Sequence, residues 1–346
     1  MRQLAKYSFV NAKVRAMLSY LIQPEAFAAL AEAKDIYEVI EGLKKTVYKG
    51  VIAGLQADNV DPEKLEREFL KYDLGLYAKV QSSLSSGLEK EFVSLMRQRY
   101  ELEEIKVALR IWHNKLPLDI KDYLIAPKIS FDIDFPKITG SESIEEVILL
   151  LDHTPYKAAL LKAKDAYKEK RSVFYLEAGL DVDYYQRLFD CIEGFSTVDK
   201  NVAHKVLGVA VDIENINSLI RFRKYYSLSI GQMLDWIVPG GAWVNKDTVR
   251  KSYTTDGLTK VVESIALGPY AGIKGMVEAN IVFIENFLYE ILLREVRKAL
   301  SGFPFTIGTI LGYLILKHRE TRNIISLLNA KSYGWNKQEI AGVLNI

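Results

Sequence analysis

Apolar positions recur along this chain at intervals of three and four. In "YSFVNAKVRAMLSYLI", Tyr7, Val10, Val14, Met17, Leu18 and Leu21 share one stripe, with Lys13 and Ser19 outside it. That spacing is the helix period and predicts an amphipathic helix near the start. Near the other end, Ile307, Ile310, Leu311, Leu314 and Ile315 form a broad apolar face, and Ile324, Ile325, Leu327 and Leu328 resume it after a charged turn. Gly308 and Gly312 lie four apart on one side of this segment, where a neighbouring backbone is expected to approach. Pro304 and Thr306 suit a helix start and Gly334 a stop. A helix over about 306–331 would be roughly 39 Å long at 1.5 Å per residue. Strand-like alternation is rare, and the best candidate is "KISFDIDF", Lys128–Phe135. The pattern predicts an all-α protein.

The longest uncharged run, Ser301 to Leu316, is shorter than the roughly 17–25 apolar residues a spanning helix needs, and it contains Gly302, Pro304, Thr306, Gly308 and Thr309. "ANIVFIENFLYEILL" is broken by Glu285, Asn286 and Glu290. No transmembrane segment is expected, and the N-terminus lacks the apolar core and small-residue site of a secretory signal. Buried helices of a globular chain remain. The 346 residues are 49% hydrophobic and 26% charged, enough for a sizeable core in two or three domains. The 46 basic residues nearly balance the 44 acidic ones, which argues against a dedicated nucleic-acid binder. Cys191 is the single cysteine, so no intrachain disulfide forms and a reducing setting fits.

A weak internal repeat organises the pattern. "DIYEVIEGLKKTVY" lies over "SIEEVILLLDHTPY", matching Ile36, Glu38, Val39, Ile40, Leu43, Thr46 and Tyr48 to Ile144, Glu146, Val147, Ile148, Leu151, Thr154 and Tyr156, an offset of 156 − 48 = 108. "GLTKVVESIALGPY", Gly257–Tyr270, is a degraded third copy. Each copy is followed by an acid four residues before a tyrosine: Asp73 and Tyr77, Asp181 and Tyr185, Glu285 and Tyr289. Further on, "YELEEIKVALRIW", "VDIENINSLIRFR" and "KHRETRNIISLLN" align on Glu103, Glu214 and Glu320, with Lys106, Asn217 and Asn323 three residues later. The chain reads as three related helical units, at about 1–115, 116–230 and 231–346.

Candidate chemistry changes this picture little. His113, His153, His204 and His318 show no paired metal-ligand spacing. "GPYAGIKG" (268–275) lacks the spacing of a phosphate loop and reads as a turn between helices. "VPGGAW" (238–243) reads as a turn, with Gly240 and Gly241 free to take positive φ. "SSLSSG" (82–87) reads as a loop. "RFRKYY" (221–226) mixes basic and aromatic residues, but Asp212 and Glu214 precede it on the same helix, so a solvated helix end is expected. Glu103, Glu214 and Glu320 occur once per repeat, which suits a shared structural role better than one asymmetric catalytic constellation. No catalytic residue, cofactor site or metal site is expected.

"YSFVNAKVRAM" and "PFTIGTILGYLILKHRETRNI" resemble the two best signatures of the C subunit of archaeal and bacterial V/A-type rotary ATPases, the counterpart of the d subunit of the eukaryotic vacuolar ATPase. The end signature falls on Phe305, Gly308, Tyr313, Leu314, Lys317, Glu320 and Asn323, and the start signature on Tyr7, Asn11, Ala12 and Arg15. Lys13 stands where the family often has arginine. The resemblance covers nearly the whole chain and implies a funnel of three helical repeats without nucleotide site or chemistry of its own. It implies a peripheral protein on the cytoplasmic face of the membrane. There it would sit on the proteolipid ring, receive the central rotor stalk, and couple ATP hydrolysis or synthesis to ion translocation. A helical-repeat scaffold of another complex is the alternative, and an enzyme built on the repeat carboxylates a third.

Overall fold

In a computed structural model of the chain, the described residues are 2–53, 61–85, 87–221, 230–252, 263, 266, 268–274 and 281–344. They form helices joined by turns, with no strand among them, so the fold is all-α. In order, α1 is Arg2–Leu18, α2 Pro24–Ala31, α3 Ile36–Leu43, α4 Lys49–Ile52, α5 Pro62–Gln81, α6 Leu88–Asn114, α7 Phe135–Gly140 and α8 Ile144–Leu150. There follow α9 Tyr156–Lys170, α10 Phe174–Glu193, α11 Thr197–Arg221, α12 Ile230–Asp235, α13 Lys246–Ser252, α14 Ile281–Ser301, α15 Ile307–Ser332 and α16 Lys337–Val343. No helix among the described residues is long and apolar enough to cross a membrane.

Two compact units result, one of residues 1–85 with 275–346, the other of 86–274. Compactness thus divides the chain at other places than sequence repetition does. The first unit joins the two chain ends. Its axis is α15, which starts where the sequence predicts: the Thr306 side chain accepts the Gly308 N–H at 3.1 Å, and Gly334, at φ 68°, follows its end. α1, α5 and α14 pack along α15, and Ile324, Leu327 and Leu328 share a core with Phe27, Leu43, Leu65 and Phe69. A Cβ on Gly312 would meet Leu300 at 2.9 Å and Val296 at 3.4 Å, both on α14. Side chains of the neighbouring helix, rather than the expected backbone, therefore fill the space that this glycine leaves.

In the second unit, α10 packs on α6, α9 and α11. The matched repeat positions behave alike in the two units. Ile36, Val39, Ile40, Leu43 and Tyr48 are buried, as are Ile144, Val147, Ile148, Leu151 and Tyr156. Asp35 caps α3 through the Glu38 N–H, and Ser143 caps α8 through the Glu146 N–H. Glu38 and Glu146 reach back to the N–H groups of Lys34 and Glu142. Thr46 and Thr154 each donate to the carbonyl three residues earlier, at 2.7 Å. Most of the third copy, Gly257–Tyr270, lies outside the described residues, but Tyr270 is described and fully buried. Residues 222–226 of the basic-aromatic run also lie outside them.

The strand candidate is instead an irregular segment running into α7. Its alternation finds no neighbouring strand among the described residues, and the N–H groups of Ser130 and Phe131 are satisfied by a side chain.

Candidate functional site

A carboxylate inside a helix bundle must have its lone pairs filled by donors, because burial of an unpaired charge is expensive. On three long helices a buried carboxylate is satisfied by the same kinds of donor, backbone N–H and a tyrosine hydroxyl. On α6, Glu101 is 1% exposed; its Oε1 accepts the Ser130 and Phe131 N–H groups, both at 2.8 Å, and its Oε2 accepts the Tyr156 hydroxyl at 2.8 Å. On α11, Asp212 is fully buried; it accepts the Trp243 and Val244 N–H groups at 2.9 and 2.8 Å and the Tyr270 hydroxyl at 2.7 Å. On α15, Glu320 accepts the Ile22 N–H at 2.5 Å and the Tyr48 hydroxyl at 2.8 Å. Each carboxylate thus clamps a tyrosine at the end of a short-helix segment and backbone of a loop before that tyrosine; for Glu101 and Asp212 both lie further along the chain, for Glu320 both lie near its start.

The tyrosines are the matched repeat tyrosines at 48, 156 and 270. The acids at 101, 212 and 320 are a series that sequence alignment places differently. Glu320 is in place, but its counterparts by contact are Glu101 and Asp212, not Glu103 and Glu214. Two residues along an α-helix is about 200° of rotation, so the latter pair point to another face. There they meet Arg99, whose guanidinium lies 3.2 Å from each of them and donates to the Tyr185 hydroxyl at 2.8 Å. Lys106 bridges Glu103 at 3.3 Å and Asp181 at 2.6 Å. Burial pushes the Glu103 carboxyl up, but Lys106 and Arg99 outweigh it and hold the group below the ordinary range. Asn217, on the same helix as Glu214, is half-buried.

The clamp has a further point three residues on, on the same helix face. Glu104 accepts the Ile125 N–H at 2.6 Å. Asn215 donates to the Val238 and Val244 carbonyls at 3.0 and 3.1 Å and accepts the Val238 N–H at 2.9 Å. Asn323 is the buried residue at this place on α15. Asp212 and Asn215 explain the turn at 238–243. Gly240 takes φ 91°, whereas Gly241 is needed for close approach, since a Cβ there would lie 2.4 Å from the Val244 carbonyl oxygen and 2.5 Å from Asp212 Oδ1.

The three clamps differ in charge. Glu320 pairs with Lys317 at 2.7 Å, and both side chains are buried. The Lys317 ammonium also lies 4.2 Å from the Tyr48 ring centre and 5.5 Å from that of Tyr72, a cation–π arrangement. Burial, and then the Glu320 charge, hold the Tyr48 hydroxyl well above its ordinary range. At Tyr156 the cation comes from another helix: the Arg187 guanidinium of α10 is 5.7 Å from its ring centre and bonds Gln98 and Asp183 at 2.8 Å each. Asp212 has tyrosine and backbone donors, and burial pushes its carboxyl up to about 6 despite them. Burial pushes Glu104 up to about 7.

The structure brings the two sequence signatures together in the first unit. Tyr7, Asn11 and Arg15 lie on α1, with Tyr7 and Asn11 buried. Arg15 donates to Asn11 Oδ1 and to the Leu300 carbonyl, both at 3.3 Å. Gly308, Gly312, Tyr313, Lys317, Glu320 and Asn323 are buried on α15, against which α1 packs. Sequence reasoning missed Glu101, Glu104, Asp212 and Asn215. The available signal was the i, i+3 polar pair at 101/104, 212/215 and 320/323, flush with the tyrosine spacing. These sites hold the fold; a tyrosine hydroxyl and backbone N–H groups already occupy each carboxylate. Among the described residues, no group of three or more His, Cys, Asp or Glu is placed to hold a metal ion.

Comparison with known proteins adds the context of these clamps. The family described as ATP synthase (C/AC39) subunit matches residues 10–343. The C subunit of the A-type ATP synthase of Methanosphaera stadtmanae is 25% identical over 333 residues, 94% of this chain and 84% of that protein. That of Methanocaldococcus jannaschii is 22% identical over 350 residues, 99% and 86%. That of Archaeoglobus fulgidus is 23% identical over 338 residues, 97% and 95%.

Proposed function

We infer the function from one premise: the chain belongs to the ATP synthase (C/AC39) subunit family, whose model it matches over residues 10–343. It is a subunit of a rotary ATPase. Within that assembly it is the non-catalytic rotor adaptor, seated on the proteolipid ring at the cytoplasmic face and holding the end of the central stalk. It couples ATP hydrolysis or synthesis to ion movement by transmitting torque. It is peripheral, bound through partners.

The family match carries the reading, and the clamps support it. A body that transmits force must resist deformation. Here each of these three long helices is tied to a loop and to a repeat tyrosine by hydrogen bonds to a buried acidic group, each worth about 1.5–3 kcal/mol when that group is charged. The test is purification of the chain from membranes under mild detergent, with its partners identified by mass spectrometry. Proteolipid and stalk subunits are expected with it. Recovery with a different set of proteins, free of both, would overturn the reading.

A further inference from the structure

One side of α1 packs on α15, through Tyr7, Val10, Asn11 and Val14. The opposite side presents Ala5, Ser8, Phe9, Ala12 and Ala16, all exposed and spaced by three and four. Phe9 is 69% exposed, and Tyr20, just beyond the helix, is 62% exposed. The charge along this segment of the sequence has one sign. Residues 1–24 include Arg2, Lys6, Lys13 and Arg15 and no aspartate or glutamate. Lys13 donates to the Lys79 carbonyl at 3.0 Å and the Ser83 hydroxyl at 2.6 Å, and Arg15 to the Asn11 amide and the Leu300 carbonyl. All these acceptors are neutral, so both positive charges remain uncancelled by them. At 100° per residue, Lys6 and Lys13 flank the stripe on one side and Arg15 on the other.

We propose that this outer face of α1 is the docking surface for an amphipathic helix of a partner subunit whose flanks carry acidic side chains. Phe9 is the knob that enters between the partner's side chains, and the basic flanks select the partner by charge. A lipid surface fits less well: three of the five stripe residues are alanines, whose methyl groups reach too little to anchor a helix among acyl chains. The proposal rests on the chain working inside a multi-subunit assembly.

The test is photocrosslinking in the intact complex, with a benzophenone amino acid replacing Phe9 and, as control, Tyr37, which is exposed on α3. Position 9 is expected to crosslink into a helical, Asp/Glu-rich segment of another subunit, and position 37 not to reach that segment. Two variants at the exposed Ala12 read the charge. Ala12→Glu sets like charges together and is expected to reduce the crosslink at least about tenfold. Ala12→Lys, of similar bulk, retains most of it. Crosslinks to lipid, to a second copy of this chain or to a segment without acidic residues would overturn the proposal. So would no crosslink, or equal effects of Glu and Lys, in an intact complex. If the chain is absent from the complex altogether, the functional reading fails as well.

Discussion

Lys317 and Glu320 are the buried ion pair of the first unit, and their value lies in being broken only together. Removing one partner leaves an uncompensated buried charge, which typically costs about 3–5 kcal/mol. Lys317→Met and Glu320→Gln are each expected to lower stability by that order in urea unfolding. The double variant should be less destabilised than the sum of the two; additive losses would mean that the charges do not interact. Asp212 makes a pH-dependent contribution of definite sign. Its folded carboxyl titrates at about 6, above its ordinary value of 3.8. Between about pH 4 and 6 the folded state therefore holds more protons than the unfolded state, and stability falls as pH rises through that window. Asp212→Asn, which keeps one oxygen for the backbone N–H groups, should reduce this fall, measured as the pH dependence of the urea midpoint. Parent and variant slopes that coincide between pH 4 and 7 would contradict the assignment. Of these residues Lys317 and Glu320 were legible in sequence, because they belong to a recognisable signature. Glu101 and Asp212 were not. Their loop partners are backbone N–H groups, which leave no mark on residue identity, and Glu103 and Glu214 offer the same spacing two positions away.

Helix α15 shows how far pattern reaches at the scale of an element. Its start at Thr306, its length and its apolar face follow from periodicity and capping residues. What Gly312 faces does not, since that depends on α14. Gly312→Leu places a branched side chain against Leu300 and Val296 and should cost about 1–3 kcal/mol in thermal or urea unfolding. Gly75 is the contrast. It lies within α5, and a Cβ added there would meet nothing within 4 Å, so Gly75→Ala should raise stability by about 0.5–1 kcal/mol through the unfolded state. If Gly312→Leu is neutral while Gly75→Ala destabilises, the packing of these two helices is not as described. The segment 128–135 marks the opposite limit. Alternation there mimics a strand, but a strand needs a partner, and the same residues instead offer their N–H groups to Glu101.

For the whole molecule, the repeat was legible as ordered matches in sequence, whereas the joining of both chain ends in one unit was not. Tyr48 and Glu320 are 272 residues apart and share a hydrogen bond, a contact that no local pattern encodes. In the proposed reading the chain's own residues perform no chemistry and its work is mechanical coupling between partners. The most direct measurement is ATP-driven ion uptake by vesicles reconstituted with the rotary ATPase, with and without this chain. Without it, ion uptake and the sensitivity of hydrolysis to ring inhibitors should be lost, while ATP hydrolysis by the detached head continues. Undiminished uptake in its absence would contradict the coupling role.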